Sequence, residues 1–403
     1  MNQKNPPSRS TRDFDQILDR RQVPALKMHP MVLGDDGAHL FAAGVADMDF
    51  AVATPIRDAL AQRLEHPVFG YEAFPDALLN ALIRWLDTRH GWSVEADHIL
   101  RAPNVLNSLA IAASLYADLG DGIIVQPPVF FDFYDIIREN GRQIVENPLR
   151  LEDGRYTMDF DGLERLAADP ANKILFLCNP HNPIGRVWTR AELTQLGQIC
   201  RAHRVLVVSD ELHGDITFAG HNYTPFASIS TQDAQNSVTF VSPAKAFNIA
   251  GLCSSFSIIP DAGKRASMRR ENSRLTVNKN NAMSNVAMLA AYTRCGAWLD
   301  DVIAYVQGNV ALVRARLDAL PGVDVIEPDG TFLLWLDFRG LGFDPKEQTA
   351  FLRSQAGWAV TRGEAFGPEG RGFARLNIAC PRARLDQALE ALTRAVQARY
   401  NRG

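Results

Sequence analysis

Residues 204–215 read RVLVVSDELHGD, and residues 237–251 read SVTFVSPAKAFNIAG. In each, a short apolar run rich in β-branched residues ends abruptly in polar ones, as in a strand buried on both faces. Three further runs have the same form: DGIIVQP at 121–127, KILFLCNP at 173–180 and SSFSIIP at 254–260. Helical stretches alternate with these five runs. The middle of the chain therefore reads as an α/β unit, a mainly parallel sheet covered by helices on both faces.

Working outward, TPIRDALAQRLEH begins at Thr54, an N-cap residue followed by Pro55, and PDALLNALIRWLDTRHG ends at the helix-stopping Gly91. Both segments predict amphipathic helices. After about residue 281, a helical pattern too long for one ordinary globular helix runs to residue 320, with a break expected near Gly296. The remainder offers a few strands and two helices, an α+β lobe joined by the N-terminal segment. The expected division is 1–53 for an N-terminal arm and part of the small domain, 54–290 for the large domain and 291–403 for the small one. The first 15 or so residues are polar and read as an arm.

A chain of 403 residues, 46% apolar and 22% charged, is large enough for two lobes. Its formal charge of −4 gives no broad electrostatic reason to expect nucleic acid or an anionic membrane as a partner. No apolar run approaches the roughly 20 residues that span a bilayer, and the polar opening does not read as a secretory signal, so the expected compartment is the cytoplasm. Cys178, Cys200, Cys253, Cys295 and Cys380 are scattered, with no CxxC pair and no His cluster at metal-ligand spacing. They read as reduced thiols, and no metal is expected.

In open α/β sheets, ligands bind beyond the carboxyl ends of the strands. Three such ends carry polar groups: Asn179 to Gly185, Asp210 to His213, and Ser242 to Lys245. A carboxylate at Asp210 either caps a helix or, partly removed from water, pairs with a cation such as a protonated pyridine nitrogen. Lys245 reads either as a surface charge or as an amine whose apolar setting lowers its pKa, as a Schiff-base lysine requires. Ser242, three residues earlier, offers a hydroxyl to a phosphate, and the segment APNVLNSLA opens a helix whose first amides suit the same anion. CNPHNPIGRVW must turn sharply. It is either a plain loop or the support for an Asn182 amide facing a ring oxygen. Phe130 either packs in the core or stacks on a flat ligand. Arg375, embedded in the apolar run ARLNIAC, calls for an anion, and a carboxylate held by two parallel hydrogen bonds is the natural one.

These segments, in this order, resemble the fold-type I pyridoxal-phosphate enzymes of aspartate-aminotransferase fold, and most closely the MalY/PatB branch of cystathionine β-lyase-like carbon–sulfur lyases. The resemblance spans nearly the whole chain: VADMDF (45–50), FGYEAFPDAL (69–78), CNPHNPIGRVWTRAEL (178–193), VVSDELHGD (207–215), SPAKAFNIAGL (242–252), WLDFRGLG (335–342), GEAFGPEG (363–370) and RLNIACPR (375–382). It implies a seven-stranded, mainly parallel sheet in the large domain and pyridoxal 5′-phosphate as cofactor. It further implies that Lys245 carries the cofactor as a Schiff base, Asp210 meets the pyridine nitrogen and Asn182 the ring oxygen. Backbone amides of Val105 and Leu106, with Ser242, would hold the phosphate, and Arg375 the substrate carboxylate. Tyr71 resembles the tyrosine that reaches the partner subunit's cofactor phosphate, which implies a homodimer with active sites at the subunit interface.

The chain departs from the family pattern in four places. Phe130 stands where a tyrosine is common, Asn104 where a glycine is frequent, and Cys253 where classical aminotransferases carry an arginine. His213 replaces a tyrosine of many aminotransferases, and either bonds the ring oxygen or orients Asp210. The implied activity is β-elimination on an amino-acid substrate, a cysteine S-conjugate such as cystathionine, giving thiol, pyruvate and ammonia. The same residues also serve an aminotransferase, and the branch includes a member with a regulatory protein-binding role.

Overall fold

Alternate side chains of the apolar runs pack on opposite faces of one sheet. In the computed structural model, which describes residues 13–401, Ile174, Phe176 and Cys178 enter one apolar cluster while Leu175 and Leu177 enter another. This two-faced burial is why the runs are continuously apolar rather than alternating. All five predicted strands form, as Gly122–Val125, Asn172–Cys178, Leu206–Asp210, Ser237–Val241 and Ser255–Ile258.

Two edge strands complete a seven-stranded sheet. Ile99–Ala102 pairs antiparallel with Ser255–Ile258 at one edge, and Gln143–Glu146 pairs parallel with Gly122–Val125 at the other. Sequence reading missed both because each is only half buried and the apolar signal is correspondingly broken. Ser255–Ile258 is the one strand that runs against its neighbours. Among the helices, Val105–Tyr116 and Asp132–Glu139 pack on one face and Phe160–Ala167 and Arg190–Ala202 on the other. The last is closed by a capping box in which Thr189 and Glu192 satisfy each other's backbone amides.

The helix read from Thr54 onward spans Thr54–Glu65, with Ala53 rather than Thr54 at the N-cap. The Ala53 carbonyl accepts the first helical bonds, from Ile56 and Arg57, so Thr54 is already helical and its hydroxyl caps nothing. Asp76–His90 stops at Gly91, in the left-handed conformation expected of it. The long helical pattern divides at Cys295 into Ala282–Arg294 and Gly296–Leu317.

C-terminal to these helices, a four-stranded antiparallel sheet is ordered Asp324–Ile326, Leu333–Asp337, Phe373–Asn377, Thr361–Arg362. The N-terminal segment joins this part of the chain: Phe41–Ala42 pairs parallel with Trp358–Ala359, and the amide of Asn377 donates to the Ala43 carbonyl. The arm read at residues 1 to about 15 lies almost wholly outside the described residues. Among the described residues no helix is long and apolar enough to cross a membrane.

Candidate active site

Lys245, Asp210 and Arg375 come from three separate elements and meet at one cleft of about 890 Å³. Asp210 ends the strand Leu206–Asp210, Lys245 follows the strand Ser237–Val241, and Arg375 sits mid-strand in the small sheet. Phe130, Asn182 and His213 line the same cleft. Of the residues singled out in the sequence, these six are brought together.

The segment between Gly44 and Phe50 holds the two sheets in register. Arg375 Nη2 donates to the Gly44 carbonyl (2.6 Å), and Lys245 Nζ donates to the Ala46 carbonyl (2.8 Å). The Asn377 amide nitrogen donates to the carbonyls of Val45 and Asp47, while Asn248 bonds Met48 and Phe50. VADMDF stood out in the sequence as a motif, but its part in joining the sites of Lys245 and Arg375 was not legible there.

Asp210 is buried, and the only hydrogen bond to its carboxylate from the described residues comes from the Leu212 amide (3.2 Å). Burial raises its pKa to about 6. The bond to Leu212 is the local one expected of a capping Asp, yet it leaves one carboxylate oxygen free at the mouth of the sheet. Burial and the Arg375 charge lower the pKa of Lys245, which favours the neutral, nucleophilic amine. His213 is buried beside Lys245 and Arg375 and is depressed to about 3, so its imidazole is neutral. Among the described residues its Nδ1 has no hydrogen-bond partner, and no bond joins it to Asp210.

Arg375 is fully enclosed without a carboxylate in contact among the described residues. Nη1 donates to Asn182 Oδ1 (2.9 Å), the guanidinium lies 4.9 Å from the Phe366 ring centre, and Nε has no hydrogen-bond partner among the described residues. Burial lowers its pKa to about 10. By holding Asn182 Oδ1, Arg375 leaves the amide's N–H groups to point elsewhere.

Val105, Leu106, Ser242 and Tyr71 do not line the cleft. The Ser242 hydroxyl donates to the Ser254 carbonyl (2.7 Å) and accepts from the Ala244 amide (3.1 Å). Asn104 caps the helix Val105–Tyr116 through the Asn107 amide (2.8 Å), which leaves the amides of Val105 and Leu106 without an intrahelical acceptor. Strand register, with Ala102 opposite Ser255 and Val241 opposite Phe256, sets that helix start and Ser242 at the same end of the sheet. Tyr71 is wholly exposed. Among the lining residues that sequence reading did not single out is Asp132, two residues beyond Phe130 and subject to the same rule of polar groups past an apolar strand.

The family model for aminotransferase class I and II matches residues 41–392. The chain belongs to that family. It is 41% identical to cystathionine beta-lyase PatB of Bacillus subtilis strain 168 over 353 residues, covering 87% of this chain and 91% of that one. It is 31% identical to protein MalY of Escherichia coli K12, covering 96% and 99%. Cystalysin from Treponema denticola, solved with a pyridoxal 5′-phosphate cofactor, superposes with a TM-score of 0.92 at 32% identity, covering 96% of this chain and 99% of that one. The fold is the aspartate-aminotransferase-like fold type I.

The residues present suit that cofactor. A buried carboxylate with a free oxygen answers a cationic ring nitrogen, a lysine whose burial favours the neutral amine answers an aldehyde, and uncapped helix amides answer a phosphate.

Proposed function

We propose that this chain is a pyridoxal-phosphate-dependent carbon–sulfur β-lyase, cleaving cystathionine and related cysteine S-conjugates to a thiol, pyruvate and ammonia. The observation that carries it is the convergence of Lys245, Asp210 and Arg375 on one cleft, in a chain 41% identical to a named cystathionine beta-lyase. When bound, the cofactor supplies an aldehyde for the substrate amine and a ring that accepts the electron pair released at the α-carbon.

The protein's own groups do the rest. Lys245 would hold the cofactor through its aldehyde, and the same amine is the group placed to take the α-proton as general base. Its lowered pKa raises the neutral fraction near pH 7. Asp210 would pair with the pyridine nitrogen and keep it protonated. Asn182 would donate to the ring oxygen, joined by neutral His213, whose Nδ1, unpaired among the described residues, supports this role over orienting Asp210. Phe130 would cover the ring face, without the hydroxyl that a tyrosine would bring. The amides of Val105 and Leu106 with the Ser242 hydroxyl receive the phosphate, and Arg375 grips the substrate carboxylate. The C–S bond breaks as the proton leaves, the thiolate departs, and one water completes conversion to pyruvate and ammonia.

This reading includes a homodimer in which exposed Tyr71 reaches the partner's cofactor. It assigns residues 54–290 to the cofactor-binding domain, 291–403 to the small domain, and 1–53 to the arm and part of the small domain. Cytoplasmic residence fits the five cysteines, none of them disulfide-bonded among the described residues.

The test is to incubate cofactor-loaded protein with cystathionine and no keto-acid acceptor. Stoichiometric pyruvate and thiol are expected; an absolute requirement for a keto acid would instead make the protein an aminotransferase.

Asp210 gives a pH signature. Its pKa of about 6 in the cofactor-free protein means that it is ionised above that value, and a cationic ring nitrogen binds only the ionised form well. Cofactor affinity should therefore be full near neutrality and fall by about tenfold per pH unit below about 6. Titration of the apoprotein with pyridoxal phosphate measures this, and Asp210→Asn should weaken binding while removing that part of the pH dependence.

A further inference from the structure

An amine that is to take a proton needs its lone pair aimed, and one hydrogen bond donated by its own N–H limits its rotation. Lys245 has such a bond, from Nζ to the Ala46 carbonyl at 2.8 Å, and among the described residues no carboxylate pairs with it. The acid next to Ala46, Asp47, is engaged by Lys27 and Arg20. A backbone carbonyl therefore directs the amine.

Ala46 lies in an irregular segment, so no helix or strand ladder fixes that carbonyl. Two asparagines do. The Asn377 amide nitrogen donates to the carbonyls on either side of Ala46, those of Val45 (2.7 Å) and Asp47 (2.6 Å), and its Oδ1 accepts from the Ala379 amide (2.9 Å). With these two carbonyls turned to Asn377, that of Ala46 is left to Lys245. Asn248, three residues beyond Lys245, accepts from the Met48 amide and donates to the carbonyls of Met48 and Phe50, each at 3.0 Å. Its backbone is left-handed, with φ 55°, a conformation that Asn tolerates better than most residues and Gly better still.

We infer that Asn248 and Asn377 are positioning residues for the proton transfer: together they fix the Ala46 carbonyl, which receives Lys245 once it leaves the cofactor and aims its lone pair at the substrate α-carbon. Asn377 follows Arg375 by two residues on one face of the strand Phe373–Asn377, so a single strand sets both the grip on the carboxylate and the aim of the base. This rests on the reading of Lys245 as the cofactor-binding base, and it holds for lyase and aminotransferase alike.

The test follows exchange of the α-hydrogen of L-alanine, which has no leaving group to expel, into deuterated water by the cofactor-loaded protein. Asn248→Gly keeps the left-handed backbone and removes the clamp; it should slow exchange by about tenfold, with affinity for alanine and for cofactor within about twofold of wild type. Asn377→Ala should act in the same direction. A second readout needs no turnover. In the cofactor-free protein, imine formation with pyridoxal phosphate follows the neutral amine, and its pH midpoint should fall by about one unit in Asn248→Gly, because the carbonyl that accepts from the ammonium is loosened. The charges around Lys245, those of Arg375, Asp47, Asp210 and Asp132, are the same in both proteins. Exchange at the wild-type rate in Asn248→Gly, or equal losses in exchange, cofactor affinity and thermal midpoint, overturns the inference and leaves the asparagines as structural ties. Should Asn377→Ala fail to fold, Asn248→Gly decides alone. If the wild type exchanges no α-hydrogen, the assignment of Lys245 as base fails instead, while the imine midpoint still reports whether the clamp sets the amine.

Discussion

Lys245→Ala is expected to lose pyruvate release by about 10⁴-fold or more, since the substitution removes both the covalent anchor and the general base. The cofactor should still bind, held by Asp210 and the phosphate site, but borohydride should trap no adduct at position 245. The fold should survive. Burial lowers the Lys245 pKa, so the charged amine opposes folding at every pH below its folded value, and removing it returns that contribution. Against this stands the loss of the bond to the Ala46 carbonyl, so the thermal midpoint should shift by only a few degrees. A variant that unfolds would leave activity uninformative, but Lys245→Arg separates the cases by keeping a cation without a nucleophile. Retention of more than about one part in a hundred of wild-type turnover by folded Lys245→Ala would sink the assignment.

Arg375→Ala should lower kcat/KM by about 10²- to 10³-fold, the range for removing one partner of an enclosed, hydrogen-bonded charge pair. The effect arises because the guanidinium is already desolvated and lacks an anion in contact among the described residues, so a substrate carboxylate gains nearly the full attraction. Cofactor affinity should change little. Amino acids should lose binding to the variant while the corresponding amines, which have no carboxylate, should not; equal losses for both would assign Arg375 a structural role. Arg375→Lys keeps charge but not the planar fork and should fall between wild type and alanine. Asn182 should also be disturbed, since its Oδ1 is held by Arg375 Nη1.

The five inner strands were legible because burial on both faces forces uninterrupted apolar runs, and the polar residues that end those runs made Asp210 and Lys245 candidates, each with a bland reading beside the functional one. The edge strands Ile99–Ala102 and Gln143–Glu146 were not, since an edge needs apolar residues on fewer sides. Thr54 looked like a cap because its residue type suits one, but which carbonyl opens a helix depends on the backbone path, and that path chose Ala53. Ser242 was legible as a hydroxyl at a strand end, though not its bond to the Ser254 carbonyl.

The sequence by itself determined the inner sheet and the helix stops at Gly91 and near Gly296, and it put forward an amine, an acid and a guanidinium as candidates for one site. Each is set by local pattern: period, caps, and the cost of burying a charge. Only the tertiary structure decided that Arg375, 130 residues beyond Lys245, shares its cleft, that residues 44–50 lash the two sheets together through Asn248 and Asn377, and that Asp132 rather than Asp135 turns inward. Those facts depend on how elements distant in the chain pack against one another, and no local pattern of residues encodes the meeting of two surfaces.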